Sequence, residues 1–386
     1  MSTAARAAVA LVTFADPDGA GGVPRALRLL REGLAARGHG VTLHARPLAA
    51  GVRNTLVRRA WRRLDRSSEE VRRIRRALAA LGTELRALPP GGVCVAFEPW
   101  TAATCAAAGR ATVLRVAGLG ASTDEWLRNG FVEEGSRHVP WLRATERAGF
   151  AGASRVVALS TAGRDAVLGL GADPSRIVVI PNGIAVAAAP PRAARDATGE
   201  VVVACVANLR AVKGVDVLAR ALASLPDALR ARVRLVHVGD GAAAGNPTFE
   251  AARDALVAAG VAHTFRGALP HAEVEAQLAA ADVFALPSRV EMFPNALLEA
   301  CAAALPCVAS DVGAVREILA PASGTSLVPP GDVAALAAAL ARLVNDAELR
   351  AQLGTANRAH VVATFALERT LDAWSRLVDD VARDAR

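Results

Sequence analysis

Short runs of β-branched and aliphatic residues alternate along this chain with longer segments whose apolar residues recur every three to four positions, and the alternation occurs twice. That pattern restricts the fold more than any single motif. Short apolar runs, each followed by an amphipathic helix, build βαβ units around a parallel sheet. In the first half, residues 7–14 form an apolar run ending in Asp18-Gly19-Ala20-Gly21-Gly22, and Leu27, Leu30 and Leu34 mark one face of a helix over 24–37. Gly38 and Gly40 close that helix, and 41–45 supplies a second strand. Further buried strands are expected at 93–97, 112–116, 155–159 and 177–180. A second series is expected at 201–206, 233–238, 263–266, 283–286 and 307–309.

A chain of 386 residues is too long for one ordinary domain and suits two α/β domains. Between the two series, residues 185–200 contain Ala187-Ala188-Ala189-Pro190-Pro191 and carry no apolar period, as a linker would. The expected architecture is therefore α/β, with two Rossmann-like domains over 1–190 and 200–365 facing an interdomain cleft. Arg6 and the apolar run after it resemble the start of a signal peptide. Asp16-Pro17-Asp18-Gly19 follows at once without a small-residue cleavage pattern, so 7–14 is read as a buried strand.

Hydrophobic residues make up 53% of the chain, yet the excess is alanine spread through helical segments, and no uninterrupted apolar run reaches the ~18 residues that span a bilayer. A soluble or surface-bound protein is expected. Five cysteines, an odd set without a CxxC pair, sit in apolar surroundings and fit buried thiols in a reducing cytoplasm. The net charge is +8, and the basic residues are 44 arginines and one lysine, Lys213. Arginine replaces lysine at solvated positions but not where a compact ammonium must sit against a phosphate, so Lys213 is marked for a specific task.

The densest stretch runs from Ala281 to Ala300. A buried strand ends near Pro287, Glu291 lies in the turn that follows, and a helix opens near Pro294. The backbone over Met292, Phe293, Pro294 and Asn295 is expected to turn its N–H groups outward at the helix start, where unpaired donors and the positive dipole end suit a phosphate or sugar oxygen. Glu299 falls roughly two turns above on the same side, and carboxylates suit vicinal hydroxyls.

Glu291 and Glu299 are spaced as in the Glu-x7-Glu motif, and the chain resembles the family 4 retaining glycosyltransferases (glycosyltransferase group 1) of the GT-B fold over nearly its whole length. Gly21-Gly22-Val23, Glu146-Arg147, Pro181-Asn182-Gly183-Ile184, Lys213-Gly214 and Val238-Gly239-Asp240-Gly241 are similar to that family in order as well as in kind. The resemblance implies a metal-independent transferase that takes a sugar from a nucleotide-sugar donor, UDP- or GDP-linked, with no other cofactor. It implies that the C-terminal domain binds the donor, that the N-terminal domain binds a glycan, lipid-linked or small-molecule acceptor, and that a final helix over 366–386 packs back on the N-terminal domain. Glu291 would contact the donor sugar, Glu299 the ribose and Lys213 the diphosphate, with Gly21 and Gly22 closing over the leaving phosphate. Arg210, Gly239 and Arg266 complete the expected donor set, and Arg115 and His138 are the expected acceptor contacts.

The chain departs from the family pattern at four positions. Asn208 stands where a phosphate-binding arginine is usual, Ala117 where a histidine is usual, and Met292 and Ala304 where glycines are usual. A nucleotide-sugar binding or epimerase-like protein without transfer is the alternative these departures leave. Asp16-Pro17-Asp18 has the spacing of a metal-binding acid pair but lies in the first loop, and no metal is expected. The first glycine loop lacks the third glycine of a dinucleotide fingerprint, and the second strand ends without an acid for a ribose.

Residues 53–76 are arginine-rich, with Leu56, Trp61, Leu64, Val71 and Ile74 available for an apolar side, and are read as a basic amphipathic helix pair. Such a surface suits peripheral contact with an anionic membrane at the inner face of the cell membrane. Nucleic acid is not an expected partner, since no stacking aromatics interleave the arginines and tyrosine is absent.

Overall fold

The computed structural model describes residues 6–19, 21–48, 56–116, 118, 122–128, 132–185, 199–321 and 326–386. The chain divides into two units, Met1–Asn182 with Arg369–Arg386, and Gly183–Glu368. The first unit contains β1 (Ala8–Thr13), α1 (Gly22–Ala36), β2 (Gly40–Ala45), α2 (Leu56–Ala87), β3 (Val93–Ala96) and α3 (Pro99–Ala107). It continues through β4 (Ala111–Arg115), α4 (Ser122–Arg128), α5 (Val139–Gly152), β5 (Arg155–Ala158), α6 (Thr161–Gly169) and β6 (Ile177–Val179). The second unit runs β7 (Val201–Val206), α7 (Val215–Ala223), α8 (Asp227–Arg230), β8 (Val233–Val238), α9 (Pro247–Ala258), β9 (Ala262–Phe265) and α10 (His271–Ala280). It then adds β10 (Val283–Leu286), α11 (Asn295–Ala302), β11 (Cys307–Ser310), α12 (Val315–Ile318), β12 (Leu327–Val328), α13 (Val333–Asn345) and α14 (Ala347–Thr364).

Each unit holds one six-stranded parallel sheet. The strand orders are β2-β1-β3-β4-β5-β6 and β12-β11-β10-β7-β8-β9. Central strands are buried on both faces, which is why they read as continuous apolar runs rather than alternating ones: Val93, Cys94, Val95 and Ala96 of β3 are all buried. In the first sheet the chain steps from β1 to β2 on one side and then to β3 on the other. The second sheet does the same about β7, going to β8 and later to β10. Both sheets therefore have a switch point, between β1 and β3 and between β7 and β10. Loops leaving neighbouring strands diverge there, and open α/β sheets place their ligands at such points.

The last helix, α15 (Leu367–Asp384), joins the first unit. Leu371, Trp374, Val378 and Val381 form its buried stripe. A Cβ placed on Gly33 of α1 would lie 2.4 Å from Leu371, so that glycine lets the two helices approach. His39 Nε2 lies 2.8 Å from Ser375 Oγ, and Arg6 pairs with Asp379 at 2.5 Å. Each fully buried side chain of this size contributes about 1.5–3 kcal/mol, enough to hold the chain end on this unit.

Three expectations change. The basic segment is one continuous helix, α2, rather than a pair. Val71 and Ile74 are buried in the first unit, 1% and 0% exposed, so they cannot enter a bilayer; residues 53–55 and the side chains of Leu56, Trp61 and Leu64 lie outside the described residues. A sixth strand of the second sheet, β12, is only two residues long and carries no periodic signal. Residues 186–198 of the expected linker and Ala117 also lie outside the described residues. No described helix is long and apolar enough to cross a membrane, and all five cysteines are buried and free.

Candidate functional site

The switch point of the second unit brings two loops into contact. After β7 the chain passes residues 207–210 and a tight 3-10 turn, Ala211–Lys213, before Gly214 opens α7 at φ 64°. A Cβ at Gly214 would lie 2.0 Å from the Pro287 carbonyl oxygen, so only glycine lets this turn sit against the loop leaving β10. Across that contact Lys213 Nζ donates to Glu291 Oε1 at 2.7 Å, and Ser288 Oγ donates to the same oxygen at 2.8 Å. The Lys213 and Glu291 side chains are 30% and 10% exposed, so one end of the pair is open to a ligand.

Arg289 secures the two loops to each other. Its N–H donates to the Val212 carbonyl at 2.8 Å, and its guanidinium grips Asp216 at 3.0 and 2.7 Å while also bonding the Ala211 carbonyl. Burial pushes the Asp216 carboxyl upward, but the bond and charge of Arg289, with Arg220 adding, outweigh it and hold the group below the usual carboxylate range. Behind Lys213, burial drives the Cys205 thiol up to about 12 despite the lysine charge, so it stays protonated.

Glu291 is fixed from its other side. Gly313, at φ 52°, would place a Cβ 2.2 Å from the Glu291 carbonyl oxygen, and Ala314 N–H donates to the Met292 carbonyl at 3.0 Å. Helix α11 begins at Asn295 with Pro294 as its cap residue and no side-chain cap, and the Pro294 carbonyl accepts from Leu297 N–H at 3.1 Å and from Leu298 N–H at 3.3 Å. The stretch 292–295, expected to turn N–H groups outward, is interrupted by a proline and packs its first two side chains inward. Pro294 has no N–H, and the Met292 and Phe293 side chains are buried, Phe293 against Phe365 at 5.8 Å between ring centroids. Glu299 stands four residues, about one turn, above the start of α11 rather than two, and is half-buried.

Neighbouring loops assemble around this pair. Asn208 Oδ1 accepts from Asp240 N–H at 3.1 Å and Leu209 N–H donates to the Asp240 carbonyl at 2.8 Å, so Asn208 ties the loop after β7 to the loop after β8. Gly239, at φ 149°, would bring a Cβ within 1.9 Å of the Ala207 carbonyl oxygen, and its N–H is committed to the Gly267 carbonyl at 2.9 Å. Gly239 thus serves the packing of these loops. Arg210 is exposed in the same loop as Lys213, and Arg266 is exposed just after β9.

At the switch point of the first unit sits a residue the sequence reading missed. Glu98 follows β3, and its Oε1 accepts from Thr13 Oγ1 at 2.8 Å and from Phe14 N–H at 3.2 Å; Thr101 Oγ1 donates to Oε2 at 3.0 Å. The carboxylate therefore bridges the ends of β1 and β3. Burial pushes its pKa up to about 7, against the lowering pull of Thr13, Phe14 and Thr101. The available signal was a lone acid between a four-residue apolar strand and the helix-starting Pro99. Nearby, Gly21 caps α1 at φ 114° with no side-chain cap, and Gly22 is its first residue. Asp16 Oδ1 accepts from Asp18 N–H at 3.1 Å, so these two acids shape the glycine loop. Arg115 closes β4, buried and bonded to Asn182 Oδ1 at 2.7 Å. His138 precedes α5, half-buried, as its backbone cap residue.

Two parallel-sheet units with polar groups gathered at their switch points define the two-domain α/β architecture of the GT-B glycosyltransferases. Residues 20–188 match the family model described as Glycosyltransferase Family 4, and residues 191–360 match Glycosyl transferases group 1. The chain belongs to this family of group 1, family 4 glycosyltransferases. It is 33% identical over 284 residues to a D-inositol 3-phosphate glycosyltransferase of Kineococcus radiotolerans, a match spanning 67% of this chain and 65% of that one. A 2-deoxystreptamine N-acetyl-D-glucosaminyltransferase of Streptomyces fradiae is 40% identical over 113 residues, 29% of this chain and 26% of that one. The matches to these relatives therefore span less than two thirds of their length. Among solved structures, a sucrose-phosphate synthase from Thermosynechococcus elongatus superposes with a TM-score of 0.75 at 22% identity, covering 98% of this chain and 100% of that one. Anabaena HepE in complex with UDP-glucose gives 0.72 at 17% identity, covering 96% and 99%. Both share the fold.

Proposed function

We propose that the protein is a retaining, metal-independent glycosyltransferase that moves a sugar from a UDP- or GDP-sugar to a glycan, lipid-linked or small-molecule acceptor. The observation that carries the reading is the Lys213–Glu291 pair at 2.7 Å before the start of α11, at the switch point of the second sheet. Departure of a nucleoside diphosphate develops negative charge, and preorganised cations and N–H dipoles stabilise it best. In this reading Lys213 meets the diphosphate, exposed Arg210 adds a second cation, and the positive end of the α11 dipole adds to both. Glu291 exchanges its lysine bond for hydroxyls of the donor sugar, while Glu299 accepts the ribose hydroxyls. The strand ends of the first unit, with Glu98, Arg115 and His138, take the acceptor. Cytoplasmic placement agrees with five free buried thiols. Membrane contact through α2 would rest on its exposed arginines, such as Arg72 and Arg76, with Val71 and Ile74 committed to the core.

The test is thermal stability against UDP-, GDP- and ADP-sugars with EDTA present, comparing the wild type with Glu299→Ala and Lys213→Ala. A donor-specific rise that survives EDTA and is lost in both variants supports the reading, and the anomeric configuration of the product, followed by NMR, decides retention. Donor binding without turnover in the presence of sugar acceptors would favour the binder or epimerase-like alternative.

A further inference from the structure

Arg115 is the last residue of β4 and is 2% exposed. One terminal nitrogen donates to Asn182 Oδ1 at 2.7 Å, and the guanidinium carbon lies 5.4 Å from the centre of the Phe97 ring. The other terminal nitrogen, Nη1, is buried without a hydrogen-bond partner. Burial lowers the pKa of the group to about 10, which leaves it charged at neutral pH. A buried cation held by one amide oxygen and one ring face lacks a counter-charge, and interior charges are normally paired.

A structural arginine in the same chain shows the contrast. Arg350 is 7% exposed, and its Nη1 donates to the Leu343 and Val344 carbonyls at 2.7 and 3.2 Å, with Asp282 and Asp346 close enough to act on its charge. No ion pair forms at Arg115 among the described residues. Its place in the fold is also different. Phe97, which its guanidinium overlies, directly follows β3, and Glu98 at the β1–β3 switch point comes next. Arg115 therefore lies at the end of the sheet where a ligand is expected.

We propose that Arg115 determines acceptor specificity by binding an anionic group of the acceptor, a carboxylate or a phosphate, through the Nη1 that the fold leaves unpaired. The inference rests on reading the strand ends of the first unit as the acceptor site. Asn182 acts as a positioning residue, since its bond to the other arm fixes the plane of the guanidinium. An oxyanion meeting Nη1 away from water forms a charge-assisted bond, and the planar fork suits two-oxygen groups better than an ammonium would. Neutral acceptors leave the buried charge uncompensated and bind about ten- to a hundredfold more weakly.

The experiment measures binding to the full chain of glucuronate, glucose 6-phosphate, inorganic phosphate and glucose, with UDP as the probe of the donor site. The wild type is expected to bind at least one anionic sugar about tenfold or more tightly than glucose. Glucuronate against glucose 6-phosphate separates carboxylate from phosphate, and inorganic phosphate tests the anion without the sugar. Arg115→Gln is expected to lose the preference and keep UDP binding, while Lys213→Ala loses UDP binding and keeps the preference. Arg115→Lys, which retains the charge without the fork, serves if the glutamine variant folds poorly and is expected to weaken the preference without abolishing it. Equal binding of charged and neutral sugars by the wild type, or an unchanged preference in both Arg115 variants, overturns the proposal. Failure of the wild type to bind UDP would instead strike the donor reading of Lys213, and the anion preference would still be judged by its own arm.

Discussion

Replacing His237 with phenylalanine is expected to remove an acid sensitivity from the second unit. His237 is fully buried on β8, 5.3 Å from the Phe265 ring, and neither ring nitrogen has a hydrogen-bond partner. Burial lowers its pKa from 6.5 to about 4, with the backbone at Ala207 opposing only in part. Above pH 6.5 the ring is neutral in both folded and unfolded chains and contributes nothing to the pH dependence. Between 6.5 and about 4 the unfolded chain takes up a proton that the folded chain refuses, so stability falls as pH falls. The full loss is about 3 kcal/mol, a large part of the roughly 5–15 kcal/mol that stabilises a typical domain. His237→Phe gives up only the weak pull of the Ala207 backbone, and any overpacking costs about 1–3 kcal/mol equally at every pH, so it does not obscure the slope. All five tryptophans lie outside Gly183–Glu368, so fluorescence follows the first unit, while hydrogen exchange of the β7 and β8 amides follows the second. Denaturation between pH 7 and 4 should show the wild-type second unit weakening by roughly 1 kcal/mol per pH unit below 6.5 relative to the variant. Parallel slopes for the two proteins would refute the argument.

The first unit is expected to respond in the opposite sense. The Glu98 carboxyl titrates near 7 when folded and near 4.5 when unfolded, so its contribution is fully present below 4.5 and is lost as pH rises through 7. Glu98→Gln should flatten that dependence in fluorescence-detected unfolding, and an unchanged profile would exclude Glu98 as its source. Ala304 holds φ 58° without being glycine, so Ala304→Gly should raise stability by about 1 kcal/mol in chemical denaturation. Gly214→Ala drives a methyl to 2.0 Å from the Pro287 carbonyl oxygen at φ 64°, and should cost more than about 2 kcal/mol together with the thermal response to donor. A variant that keeps both would show that the loops after β7 and β10 pack more loosely than described.

Much of the fold was legible because it is written in local patterns. A strand buried on both faces must be apolar throughout, and a helix covering it must repeat its apolar residues every three to four positions; β1, α1 and β3 show both rules. Two-residue β12 is too short to show a period. The basic segment runs on as one 32-residue helix, and its apolar side continues from Val71 and Ile74 to buried Leu78, Leu81 and Leu85, beyond the 53–76 stretch read as a helix pair. Asn208 looked like a missing arginine, whereas its side chain braces Asp240, a partner 32 residues away.

The sequence alone determined the two series of βα units, the stretch around Glu291 and Glu299, and the singular Lys213. Those features depend on neighbours within a few turns of chain. Only the tertiary structure decided that Lys213 and Glu291, 78 residues apart, lie within 2.7 Å, that Glu98 bridges β1 and β3, and that one arm of Arg115 has no partner. The reason is strand order. Sequence periodicity says that a strand is buried but not which strand lies beside it, and each of these three arrangements depends on which strand ends the sheet places side by side.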